Sequence, residues 1–187
     1  MEGTLESERE GMRKEKGFSL IELLIVVAII LIIAAIAVPN LLRSRMAANE
    51  SSAASSLRTL GTANVTYSST WNQGFAGLLA HLGPPAAPPA TSAAADLLDS
   101  VLSGINPATA TPSKSGYKFA YGAPLAMPAP ATPNATFFMD GTPVTPGSSG
   151  QSTFCVDQTN VVRKDPAGGA PGSAAATGCA AAFGAPL

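Results

Sequence analysis

Between Phe18 and Val38 the chain runs for 21 residues in which only Ser19 and Glu22 are not apolar. As a helix this run is about 30 Å long at roughly 1.5 Å per residue, the thickness of a bilayer's hydrocarbon core, and it predicts a membrane span. Past Pro39 the pattern changes. Leu42, Met46, Ala53, Leu57, Leu60, Asn64, Tyr67 and Trp71 recur at mostly three- or four-residue spacing, and Ala47, Ala54 and Ala63 fill the same side. This is the periodicity of an amphipathic helix. Pro39 lacks a backbone donor and crowds the preceding turn, so the expectation is a kink or local melting near Ala35 to Pro39 rather than a stop. Gly61, Val65 and Thr66 weaken the helix toward its end, and the stretch from Asn72 to Gly77 terminates it. A helix from Phe18 to Trp71 is about 80 Å long, far more than a small domain needs.

The rest reads as short elements. Gly83 to Pro89 contains four prolines and is a connector that cannot be helical. Thr91 or Ser92 is positioned to cap a short helix with Leu97, Leu98, Val101 and Leu102 on one face, ended by Gly104 and Pro107. Residues 108–114 read as loop. Ser115 to Tyr121 alternates Tyr117, Phe119 and Tyr121 with Lys118 and Ala120, the period-two pattern of a half-buried strand, and places those aromatics in a core rather than in a ligand box. Ala135 to Asp140, Ser152 to Asp157 and Val161 to Lys164 read as three further strands, the last two joined by a turn at Gln158 to Asn160. The expected fold class is α+β, with a long N-terminal helix packed on a small antiparallel β-sheet head domain.

Glu22 changes the picture of the span. A charge at the centre of a membrane helix costs about 2.5–3.5 kcal/mol, so an intramembrane carboxylate marks function and calls for a partner. Only four residues beyond Phe18, it lies nearer the headgroup interface, where the cost is lower. A conventional secretory signal has an apolar core of about 7–15 residues, and although Ala35-Ile36-Ala37 offers a small-x-small site, this run is too long and contains Glu22. A plain anchor accounts for the hydrophobicity but not for Gly17, Phe18 and Glu22 together. Arg13, Lys14 and Lys16 precede the span and Arg43 and Arg45 follow it, a modest bias toward a cytoplasmic N-terminus.

The string Gly17-Phe18-Ser19-Leu20-Ile21-Glu22-Leu23-Leu24-Ile25-Val26-Val27, after a basic segment and before Pro39, resembles the class III signal of type IV prepilins and pseudopilins. The resemblance is dense from about Arg13 to Arg58. It implies that a prepilin peptidase cuts between Gly17 and Phe18 and methylates the new amine of Phe18. It further implies that Glu22 pairs with the terminal amine of a neighbouring subunit. Opposite charges at about 4–6 Å favour the ionised carboxylate, so such a pair offsets much of the cost of burying Glu22 and rewards assembly. The implied organisation is a leader over residues 1–17, a transmembrane and filament-core helix over 18–38, an amphipathic continuation over 39–72, and a head over 73–187. Met12 would also serve as a start, giving a short basic leader.

With residues 1–17 removed, 170 residues remain, with seven charges of each sign. That balance offers no dedicated nucleic-acid surface, which would need clustered Lys and Arg. Cys155 and Cys179 are the only cysteines. An even pair in an exported domain fits a disulfide that staples a Gly, Ala and Pro rich tail, as pilins often close their C-terminal loop. His81 is the sole histidine, expected at the surface beside the proline-rich connector, and no Cys/His cluster has metal spacing. Asp140, Asp157 and Asp165 resemble at most a loose echo of the calcium loop in the major pseudopilin of type II secretion, and no cofactor is expected. Asn49, Asn64 and Asn134 begin sequons that would permit glycosylation.

The resulting expectation is a non-enzymatic subunit of a type IV pilus, a helical homo-oligomer serving adhesion and twitching motility. It would sit in the inner membrane as a single-pass precursor, meet the peptidase and the pilus assembly machinery, and then reach the cell surface. The alternatives are a type II secretion pseudopilin and an inert membrane-anchored binding domain.

Overall fold

The computed structural model describes residues 17–105, 111–124, 128–168, 179 and 186–187. One long helix, α1 (Leu20–Trp71), contains Pro39 without interruption. It is followed by a 3-10 turn at Leu79–Leu82 and by five strands: β1 (Ser113–Lys114), β2 (Tyr117–Gly122), β3 (Phe138–Pro143), β4 (Thr153–Asp157) and β5 (Arg163–Asp165). The strands form one sheet in chain order, every neighbouring pair antiparallel. The architecture is α+β, a long N-terminal helix with a small antiparallel sheet.

The chain divides into two compact units, residues 1–41 and 42–187. In the first, the described residues from Leu20 onward are helix with nearly every side chain exposed, including Ile21, Leu24, Ile30 and Ile36. A helix apolar on all sides has no aqueous face, and by length and composition this one suffices to cross a membrane.

In the second unit, α1 buries Ala53, Ala54, Ser56, Leu57, Leu60, Gly61, Ala63, Asn64 and Tyr67. This is the expected stripe from Ala53 to Tyr67, but not its lower end, since Leu42 is exposed and Met46 only half-buried. Against it pack Tyr117 and Phe119 of β2, Met139 of β3, and Phe154 and Val156 of β4, all buried. Each fully buried large side chain contributes about 1.5–3 kcal/mol, so this layer is the main source of cohesion. Gly61 allows the closest approach: a Cβ there would overlap Asn160 Oδ1 on the β4–β5 turn and press on Val156.

Polar ties fix the sheet on the helix. Glu50 accepts the backbone N–H groups of Gln151 and Ser152 at 3.0 and 3.1 Å and pairs with Lys164 at 3.0 Å. Asn49 Nδ2 donates to the Ser149 carbonyl at 2.8 Å. Asn64 is wholly buried; its Oδ1 accepts the Ala76 N–H, and the Tyr121 hydroxyl donates to the Ala76 carbonyl beside it.

Four local expectations are corrected. The helix expected after Thr91 or Ser92 is absent: Asp96 has φ 56°, in the left-handed region, and the N–H groups of Ala95 to Leu98 donate to carbonyls of His81, Leu82 and Gly83 instead of building helical turns. Residues 108–114 are not all loop, because Ser113 and Lys114 pair with Lys118 and Tyr117 as β1. His81 is buried rather than on the surface, its turn packed among Leu79 and Leu82, and burial lowers its pKa. Strand β3 lies later than expected, at Phe138–Pro143, because its register is set by six pairs with β2.

Candidate assembly site at the start of the apolar helix

The site begins where α1 begins. Leu23 donates its N–H to the Ser19 carbonyl at 3.2 Å, which makes Ser19 the residue capping the first turn. The Ser19 N–H in turn donates to Glu22 Oε2 at 2.9 Å. Glu22 stands three residues past Ser19 in the Ser-x-x-Glu spacing of a capping box, and its carboxylate makes that motif's return bond to the backbone N–H of the capping residue. The positive end of the helix dipole further favours a negative group there. The reading of the sequence missed Ser19; the Ser-x-x-Glu spacing before an apolar run was the signal for it.

Gly17 and Phe18 lie just outside the helix. Phe18 is 81% exposed, and a Cβ built at Gly17 would meet nothing within 4 Å. The Gly17–Phe18 peptide bond is therefore open to solvent, and its nitrogen precedes the Ser19–Glu22 turn by one residue. Chemically the arrangement holds a carboxylate at the exposed end of an apolar rod. It can pair with a cation brought to it, and among the described residues no nucleophile with a base stands beside it.

The remaining residues singled out in the sequence lie apart from this turn. Pro39 is inside α1. Cys155 and Cys179 form a disulfide with Cα atoms 5.7 Å apart, joined to Phe138 in a small buried cluster. Of the three aspartates, Asp157 is buried and accepts the Cys179 N–H, Asp165 accepts the Ala167 N–H, and Asp140 is buried on β3. Among the described residues no group of three His, Cys, Asp or Glu side chains is placed to hold a metal ion. The sequon asparagines Asn64 and Asn134 are buried and hydrogen-bonded, which leaves their amides inaccessible in the folded head. Glu50, the principal ionic tie to the sheet, was not singled out, because its partners lie 101 to 114 positions away.

The turn lies within residues 12–38, which match the family model for the prokaryotic N-terminal methylation motif. The chain is similar to the type IV wide pilus major component PilA4 of Thermus thermophilus, 64% identical over 39 residues, which is 21% of this chain and 30% of that protein. It is also similar to the type IV major pilin protein PilA of Myxococcus xanthus, 46% identical over 54 residues, 29% of this chain and 24% of the relative. The chain thus spans less than a third of the length of these relatives. No solved structure matches.

Proposed function

We propose that the protein is a structural subunit of a type IV pilus, not an enzyme, and that its long helix is the filament-forming element. Cleavage between Gly17 and Phe18 by a prepilin peptidase releases an amine that is then methylated. In the filament, Glu22 exchanges its own-turn cap for the Phe18 amine of a neighbouring subunit. The observation that carries this reading is the exposed Gly17–Phe18 bond immediately before a self-capped carboxylate on an uncovered apolar helix. Contact between the terminus of one subunit and Glu22 of another joins two different surfaces, and such contacts propagate as an open helix. The apolar segment holds the precursor in the inner membrane with a cytoplasmic N-terminus and later lies in the filament core. Cell-surface adhesion and twitching motility are the activities of the assembled fibre.

Intact mass and N-terminal sequencing of protein sheared from the surface of its host test the reading. A terminus at methylated Phe18 supports it. A chain beginning at Val38 makes it a conventionally secreted domain, and methylated protein confined to membranes makes it a secretion pseudopilin.

A further inference from the structure

The 3-10 turn at Leu79–Leu82 holds the sole histidine of the chain and receives the segment that follows the proline-rich connector. Two bonds shape the turn itself: His81 donates its N–H to the Leu78 carbonyl and Gly83 donates its N–H to the Ala80 carbonyl, both at 3.1 Å. The later segment then docks on it. Ala95 donates its N–H to the His81 carbonyl at 2.8 Å, Asp96 to the Gly83 carbonyl at 2.9 Å, and Leu97 and Leu98 to the Leu82 carbonyl at 2.9 and 2.8 Å. Leu98 and Leu102 of that segment share one core with Leu79 and Leu82.

His81 is 7% exposed, and its Nδ1 is buried without a hydrogen-bond partner. The Ser103 hydroxyl, set against Gly83 at the end of the turn, is also buried and unpartnered. A neutral ring can leave Nδ1 as the nitrogen without a proton. An imidazolium carries a proton on both nitrogens, so Nδ1 becomes a buried cationic donor with no acceptor. The charged side chains on the elements around the turn are Arg58 of α1, Asp96, Asp99 and Lys114; all are exposed, and Asp99 and Lys114 pair with each other at 3.4 Å. Tyr67 and Tyr121 are the other titratable groups in this core, and their hydroxyls donate to the Ser92 and Ala76 carbonyls.

We propose that His81 is an acid trigger: protonation drives its ring out of the core and, because the same residue's carbonyl anchors Ala95, undocks the segment from Ala95 to Leu102 while α1 and the sheet stay packed. The ring stands inside a four-residue turn, so it reaches water by rotation of that turn's backbone, which breaks the row of acceptors at His81, Leu82 and Gly83. The β2–β3 and β3–β4 ladders and the Glu50 tie to Lys164 do not run through the turn. Burial lowers the His81 pKa, so the stabilisation from the neutral ring is fully present above the usual histidine range and is lost as pH falls through the lowered folded value. Asp140 works in the opposite sense: burial pushes its carboxyl up to about 6, so its contribution grows on acidification and does not mimic the trigger.

The test is hydrogen exchange of the peptide containing Ala95 to Leu98 in the full-length chain in detergent micelles, corrected for the pH dependence of intrinsic exchange. Its protection should fall between about pH 7.5 and 5, on the order of tenfold for each pH unit by which the folded titration lies below that of a free histidine, while a peptide from β2 keeps its protection. His81→Phe, which keeps a ring and takes no proton, should hold the neutral-pH value throughout. A flat wild-type profile, an equal fall in the variant, or an equal fall in β2 overturns the proposal. If the variant does not fold, the wild-type imidazole is titrated by proton NMR, where a single histidine gives an unambiguous signal: a midpoint below the ordinary histidine value supports the trigger, and one at or above it overturns it.

Discussion

The lower and upper parts of α1 are one secondary-structure element written for two solvents. From Leu20 to Leu41 the exposed side chains are mainly Leu, Ile, Val and Ala, whereas the stripe from Ala53 to Tyr67 buries Ala, Ser, Gly and Asn alongside Leu57, Leu60 and Tyr67. Large apolar side chains all round serve where a featureless apolar medium surrounds the helix. Small ones serve where specific partners must come close, as Asn160 does at Gly61. The comparison teaches that bulk on this helix reports the medium, while smallness and polarity report a fitted neighbour.

The sharpest way to separate the two parts is Glu22→Ala. It should abolish normal filament assembly, seen as loss of sheared surface fibres, while the head's thermal midpoint stays unchanged, because Glu22 caps only its own first turn. A fall in the head's midpoint would show that the two parts are energetically one.

Paired truncations sharpen the contrast further. Leu57→Ala should cost about 2–5 kcal/mol in denaturant unfolding, since the side chain is wholly buried against the sheet, whereas Leu24→Ala should leave that transition where it is. Equal effects would contradict the division.

Replacing both Cys155 and Cys179 by Ser should cost about 2–4 kcal/mol, from the loop closed by a separation of 24, again read by unfolding under non-reducing conditions. Little change would mean that the hydrogen bonds donated by Cys179 and Leu187 suffice.

Glu50→Gln is the mildest, at about 1 kcal/mol, because the site is only partly buried. Burial pushes the Glu50 carboxyl up, but the Gln151 and Ser152 N–H groups and Lys164 outweigh this and hold its pKa below the ordinary value. Its contribution is therefore present above the usual glutamate range and lost as pH falls through the lowered folded value. Stability curves of wild type and variant should converge in acid; a constant gap would assign the effect to shape rather than charge.

Most elements could be read from local pattern because they are local. The apolar run, the stripe on α1 and the aromatic alternation of β2 each announce themselves within one continuous stretch of chain. The segment from Thr91 to Leu102 misled for an instructive reason. Its leucines have helical spacing, and Leu98 and Leu102 are buried, yet the backbone finds its acceptors on the Leu79–Leu82 turn. Burial at three- or four-residue spacing does not require a helix when another segment takes the hydrogen bonds. β1 escaped notice because two residues carry no period, and Ser19 because its role lies in a cap rather than in hydrophobicity.

The sequence by itself determined that a carboxylate stands near the head of a membrane-length apolar run behind a Gly-Phe junction, since this follows from spacing along one chain. Only the tertiary structure decided that Glu50 ties the helix to the sheet, that His81 and Asp140 are buried, and that Cys179 is bridged to Cys155 and donates its N–H to Asp157. Those facts depend on residues brought together from far apart, where the partners, and with them the burial and the charge state, are set by strand register and packing rather than by any neighbour in the chain.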